Sequence, residues 1–286
     1  MTVPSFFSQY QGRVHAELTR LLPTDGSEVE RAMAYTALAP SKQVRAVLLL
    51  LCAELCRGSA DRAVPAAAAI ELVHASSLIL DDLPAMDDAP LRRGRKANHL
   101  EFGEAVAILA AFGLLNLAVG HLARAYDPQI ASRMTALVSD AVGPDGLIGG
   151  QALDLQATDR KIDFETLERI HRGKTGALFV AAAACGAITA GAAAEPIAAL
   201  TAYAKNLGLA FQIVDDLLDV AGDPSETGKA VRTDARKTTF VSFSGIDGAR
   251  QLAAELCETA DRALAPFGAR ADRLRELSAF VAARRL

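Results

Sequence analysis

The sequence predicts an all-α fold, a bundle of helices forming one domain over residues 1–286, on three observations. Ala and Leu dominate and β-branched runs are short, so strand signals are nearly absent. Pro23, Pro40, Pro65, Pro84, Pro90, Pro128, Pro144, Pro196, Pro224 and Pro266 fall at intervals, and the stretches between them are apolar at helical spacing. No Pro/Gly/Ser-rich linker divides the chain, and 51% of its residues are hydrophobic, ample for a sizeable core.

The N-terminal stretch lacks a basic segment followed by an apolar one, so it does not read as a signal peptide. An apolar helix is expected from Ala66 to Leu80, ended or kinked at Pro84. Asp127-Pro128 and Gly143-Pro144 read as helix breaks, and Asp163 as an N-cap with Glu165 in the turn that follows. The stretch from Leu178 to Leu200 is mostly Ala and Gly and carries Glu195 and Pro196, so it is expected as a buried bundle helix and not a stable membrane span. Gly222 to Thr238 is polar, holds Gly222, Pro224 and Gly228, and reads as a loop over a site. Cys52, Cys56, Cys185 and Cys257 match no zinc or redox spacing; they are expected as small buried hydrophobes in a reducing cytoplasm. The net charge of -4, with no basic stripe, argues against a nucleic-acid partner.

Two aspartate clusters stand out. Asp81-Asp82-Leu-Pro-Ala-Met-Asp87-Asp88 closes the first apolar helix, where carboxylates oppose the helix dipole and repel one another. In Asp215-Asp216-Leu-Leu-Asp219, Asp215 and Asp219 share one helix face among apolar neighbours. Either motif alone is a weak signal, since a charge run on a helix is usually a solvated face. Two, each embedded in apolar helix, point to a cation. Oxygen-only donors with no nearby Cys favour Mg²⁺ over zinc. Mg²⁺ normally shares its ligands between one or two carboxylates and phosphate oxygens, so the pair implies a di- or triphosphate held by several ions, three by expectation. Cations for such an anion are at hand in Arg92, Arg93, Arg172, Lys174, Lys229 and Lys237, although each alone is equally a surface residue.

These stretches carry a resemblance. The chain resembles the trans-isoprenyl diphosphate synthases, and among them the geranylgeranyl diphosphate synthases of bacterial carotenoid pathways, from about Pro40 to Leu252. The most specific matches are His74 through Asp88 with the trailing Arg92-Arg93-Gly94, Gly149-Gly-Gln-Ala-Leu-Asp154, Lys174-Thr175, Phe211 through Asp219, and Gly228-Lys229 with Asp234 and Lys237-Thr238. The resemblance implies the isoprenoid synthase fold, helices around a deep central cavity, and a family that is usually homodimeric; an apolar helix around Ile108 to Leu122 offers a face for that, and reads equally as core. It implies that Asp81, Asp87 and Asp215 hold Mg²⁺, with Asp82 and Asp219 assisting and Asp216 and Lys174 in the catalytic set. Arg92, Lys174, Thr175, Gln212, Lys229 and Lys237 would hold an allylic diphosphate, and Lys42, Arg45, His74 and Arg93 isopentenyl diphosphate. His99 falls on a family position without a role. The usual Gly-Gly-Lys-Arg-x-Arg-Pro reads Pro40-Ser41-Lys42-Gln43-Val44-Arg45-Ala46 here, which keeps Lys42 and Arg45 but loses one basic residue. Lys96-Ala97 stands for a common Pro-Thr and Ala111-Phe112 for a common Gly-Asp.

The implied chemistry is ionisation of the allylic diphosphate, attack by the isopentenyl double bond and loss of a proton, which needs no activated nucleophile and suits the absence of a Ser/His/Asp constellation. Product length is expected to follow pocket depth. Ser77 and Ser76, about 6–7.5 Å up the helix from the aspartates, are small, and Leu72 and Val73 lie one turn further. That favours a C20 product, geranylgeranyl diphosphate, over farnesyl diphosphate (C15), with Ser76→Phe expected to shorten it. A class I terpene cyclase would carry Asn, Ser and Glu in its second motif. A catalytically weak partner subunit is hinted at by the altered Pro40–Ala46 stretch alone.

Overall fold

The structure, a computed structural model, describes residues 4–221 and 237–283. Lys229 lies outside the described residues, together with Gly222, Pro224, Gly228 and Asp234 of the expected loop. Helices α1 (Ser5–Leu21) and α2 (Glu28–Ala37) precede α3 (Val44–Leu55) and α4 (Ala60–Asp81). A reciprocal bond set between Ser27 and Glu30 starts α2. Pro65 sits inside α4, where it has no N–H and crowds the preceding turn. The phenol of Tyr126 repairs the opened ladder: it donates to the Arg62 carbonyl at 2.7 Å and accepts the Ala66 N–H at 3.1 Å. The helix then runs on to Asp81, three residues before Pro84.

A hairpin of two-residue strands follows, β1 (Leu91–Arg92) against β2 (Arg95–Lys96), the only sheet among the described residues. Then come α5 (Asn98–Phe102), α6 (Glu104–Ala125) and α7 (Pro128–Val142), the last capped by Asp127 through the Ile130 N–H. Helices α8 (Leu147–Ala157) and α9 (Phe164–His171) lead into a π-helical turn, Arg172–Gly176, and on to α10 (Ala177–Thr189). Asp163 caps α9 as expected, accepting from the Thr166 N–H at 2.8 Å. The Ala-rich stretch is not one helix. Gly191, at φ +70°, ends α10 in a backbone region that other residues enter only at a cost, and α11 (Ala194–Ala221) starts afresh with Glu195 and Pro196 in its first turn. Helix α12 (Phe240–Ala263), a 3₁₀ segment (Ala265–Ala271) and α13 (Asp272–Ala282) complete the bundle.

Helix α3 is buried along nearly its whole length and packs on α4 and α10, while α4 pairs with α6 and α11 with α12. One large core joins α1, α3, α4, α6, α10 and α13. A smaller core of Leu167, Leu209, Ile213, Val214, Leu217, Phe240, Ala249 and Ala253 lies under the C-terminal half of α11. All four cysteines are free; Cys56 is half-buried and the others buried. Among the described residues three helices, α4, α6 and the Ala194–Val220 part of α11, are long and apolar enough to cross a membrane by length and composition. Of these α6 keeps the most apolar surface exposed, with Phe112 66% and Leu109 55% accessible.

Candidate active site

The first acidic motif sits where α4 stops. Asp81 is half-buried, and the chain folds back so that the Asp87 N–H donates to the Asp81 carbonyl at 2.9 Å. Burial, and the nearby Asp87 and Asp82 charges, push the Asp81 carboxyl above its ordinary range against the opposing pull of Lys174 and Arg92. Asp82 is buried. Arg92, delivered by β1, donates from Nε to both its oxygens at 3.0 and 3.1 Å and from Nη2 to Oδ1. Burial opposes the Arg92 charge, but Asp82 and the other aspartates more than offset it.

The second motif repeats the plan on α11. Asp215 and Asp219 are half-buried, and Asp216 is buried over the smaller core. Its Oδ1 accepts from Gln212 Nε2 at 2.9 Å and its Oδ2 from the Phe240 N–H at the start of α12, at 3.0 Å. Thr175 in turn donates to Gln212 Oε1 at 2.8 Å. Asp82 and Asp216 were both expected in the catalytic set. Their burial and their bonds to Arg92, Gln212 and Phe240 place them as braces behind the half-buried Asp81 and Asp215. Thr175 and Gln212, expected on a diphosphate, are here bonded to each other.

Beside the first motif stands Asp154 of α8, buried, whose Oδ2 accepts from Lys174 Nζ at 2.7 Å and from Lys237 Nζ at 3.0 Å. Lys237 also donates to Asp87 at 2.8 Å. The π turn brings Lys174 there because α8 can touch it: a Cβ on Gly150 would lie 2.1 Å from the Lys174 nitrogen. Burial pushes Asp154 up, yet the two lysines together hold it below its ordinary value. Burial likewise opposes the Lys237 charge, and Asp154 and Asp87 raise its pKa overall. Next to this cluster His171 is buried, with its ring 5.2 Å from that of Phe240 and its Nδ1 without a hydrogen-bond partner. Burial pulls its pKa down to about 4, so it is neutral.

Of the residues expected to hold isopentenyl diphosphate, the structure brings Arg45 and Arg93 together around buried Glu71 of α4, which accepts the Ala46 N–H at 3.2 Å. Arg45 stacks 4.7 Å over Phe179 and 5.8 Å over Phe211, and Arg93 donates to the Ala39 carbonyl at 3.2 Å. Lys42 is exposed, 6.0 Å from the Phe280 ring, and His74 is half-buried on α4. The four positions expected to line a tail pocket separate. Leu72 and Val73 are core, and Ser76 is buried with its hydroxyl donating to the Ala111 carbonyl of α6 at 2.8 Å. Ser77 alone keeps accessible surface, its hydroxyl donating to the His74 carbonyl. An aromatic ring at Ser76 would therefore meet α6, and the floor test moves to Ser77.

Sequence reasoning gave no role to Asp154, Glu71 or His171. The signal for Asp154 was a lone acid in an apolar helix, at the end of a stretch already noted; for Glu71 it was a lone acid in the Ala-rich part of α4. His171 offered none beyond lying close to Lys174.

The chain is similar to known proteins. The profile of the polyprenyl synthetase family matches residues 27–262. The chain is 42% identical to the farnesyl diphosphate synthase of Escherichia coli over 85% of its own length and 84% of that protein. It is 41% identical to a chloroplastic geranylgeranyl pyrophosphate synthase of Arabidopsis thaliana over 90% of its length and 74% of that protein. The crystal structure of a geranyltransferase from Helicobacter pylori, complexed with magnesium and isoprenyl diphosphate, superposes with a TM-score of 0.85 at 28% identity, over 98% of this chain and 97% of that one.

Proposed function

The chain belongs to the polyprenyl synthetase family, and on that premise we propose that it is a trans-prenyltransferase joining isopentenyl diphosphate head-to-tail to allylic diphosphates of C5 to C15. The observation that carries this reading is the meeting of Asp81, Asp87 and Asp154 with Lys174 and Lys237 at one site. The donors suit Mg²⁺. They are carboxylate oxygens, the hard donors that Mg²⁺ prefers, and Mg²⁺ usually takes its remaining ligands from phosphate oxygens and water. Asp81, Asp87 and Asp215 would hold the ions, with Asp219 assisting; bound Mg²⁺ would neutralise charge gathering on the departing diphosphate.

The chain's own groups do the rest. Lys174 and Lys237, still held on Asp154, would turn their remaining N–H groups to the oxygens of the allylic diphosphate and stay on them as the C–O bond lengthens, with Lys237 releasing Asp87 to the ion. Arg92 spends Nε and Nη2 on Asp82 and offers its remaining edge to the same anion. Arg45, Arg93, Lys42 and His74 would seat isopentenyl diphosphate, so that its double bond faces the cation left behind. The small Ser77 supports a C20 product, geranylgeranyl diphosphate, with C15 as the alternative. The exposed apolar face of α6 (Ile108, Leu109, Phe112 and Val119) supports a homodimer of a cytoplasmic enzyme.

A product assay tests the reading. The protein is incubated with Mg²⁺, isopentenyl diphosphate and C5, C10 or C15 starters in turn, with an EDTA control. Metal-dependent C20 is expected. C15 alone keeps the reaction and removes the depth argument; a cyclised hydrocarbon, or no elongation from any starter, overturns it.

A further inference from the structure

We propose that Asp154, which belongs to neither acidic motif, is the positioning residue that holds Lys174 and Lys237 together and so sets affinity for the allylic diphosphate. The inference rests on the reading that these lysines take that anion.

The two ammonium groups arrive from separate segments, one on the π turn and one just ahead of α12, and both donate to the single atom Oδ2. Like charges drawn to one place repel, and each lysine has a long, flexible stem to order. A carboxylate within hydrogen-bond reach of both counters the repulsion and orders the stems before substrate arrives, the kind of preorganisation that lowers the cost of binding. Asp154 is suited to this. It is buried, so its field is little screened, and the two lysines keep it ionised. Its backbone is fixed by the contact of α8 with the π turn at Gly150 and Gly173. Lys237 extends the link to Asp87, so one carboxylate ties the lysine pair to the first acidic motif. Among the described residues the ion-pair partners of Asp154 are Lys174 and Lys237, neither of them in the Arg45–Arg93–Glu71 group, so its influence is expected on one of the two substrates.

That confinement gives the test. In Asp154→Asn the KM for the allylic diphosphate is expected to rise about tenfold, the effect of misplacing one charge-assisted contact, while the KM for isopentenyl diphosphate stays within about twofold. Asp154→Glu, which restores the charge, should recover most of the loss. A purely structural role would move both KM values together and lower the melting temperature in step; that result, or an unchanged allylic KM, or no recovery with Glu, overturns the proposal. A second measurement needs neither metal nor activity, and it also serves if wild-type protein fails to elongate any starter. Acetylation of Lys237 by acetic anhydride is followed by mass spectrometry in metal-free protein, with exposed Lys96 as reference. Freed from Asp154, Lys237 should react about fivefold faster or more, since its amine is no longer held in a partly buried hydrogen bond. An unchanged rate shows that Asp154 does not hold it.

Discussion

Asp82 and Asp216 occupy the same place in their motifs, second in an Asp-Asp pair, and both are buried. Asp82 is gripped by a guanidinium carried on a hairpin, whereas Asp216 is gripped by a peptide N–H and a neutral side-chain amide. In each pair the first aspartate is half-buried and keeps accessible surface. Helix geometry explains the division, since consecutive residues point about 100° apart and only one of the two can face the cavity. What differs is the cost of failure. A charged brace leaves a buried cation behind when its acid is lost; a neutral brace leaves only an unmet donor.

The largest effect should come from removing what the two motifs share. Asp81→Ala and Asp215→Ala are each expected to lower kcat about 10³-fold or more, roughly 4 kcal/mol of barrier. Asp81→Asn should melt no lower than wild type, because burial and its acidic neighbours already disfavour that charge. A comparable fall in melting temperature would make Asp81 a structural residue. The braces then separate. Asp82→Ala strands Arg92 and should cost about 3 kcal/mol in urea unfolding; Asp216→Ala should cost about 2 kcal/mol through the unmet Phe240 N–H. Adding Arg92→Met to Asp82→Ala should recover part of the first loss by removing the stranded cation, and no recovery would erase the distinction.

Much of this plan was legible in the sequence and some was not. Local chemistry was readable: Pro84 ends α4, Asp127 and Asp163 cap helices, and the i, i+4 spacing of Asp215 and Asp219 fixes a shared face. The braces were not, because Arg92, Phe240 and Asp154 meet their partners through tertiary contacts that no spacing encodes. The break at Gly191 was hidden inside an Ala-rich run whose composition favours helix throughout. Ser76 looked like an open floor because its size was visible in the sequence while its bond to α6 was not.

Acid should sharpen the contrast at the second motif, where His171 packs on Phe240. Its folded-state pKa of about 4 lies below the ordinary value near 6.5. The unfolded chain therefore takes up a proton that the folded chain refuses as pH falls between these values. Stability is whole above about 6.5 and drops by up to about 3 kcal/mol by pH 4. His171→Phe should flatten that part of the urea-midpoint profile, and an unchanged slope would place the titration elsewhere. The smallest change in stability, under about 1 kcal/mol, is expected from Ser77→Phe, read instead as a shift of product from C20 toward C15. An unchanged product distribution would remove Ser77 from the floor.

The π turn at Arg172–Gly176 has a consequence for how this chain tolerates change in length. Such a turn amounts to a helix holding one extra residue. Without it, α9 and α10 would read as one regular helix from Phe164 to Thr189, with the faces on either side rotated by about 100° relative to the present ones. Loss of a single residue between Arg172 and Gly176 would leave composition, charge balance and helix content almost untouched. Yet it would force a choice: keep α10 in the core and swing His171 out, or keep α9 in place and turn Phe179 away from Arg45. Here the count of residues matters more than their identity.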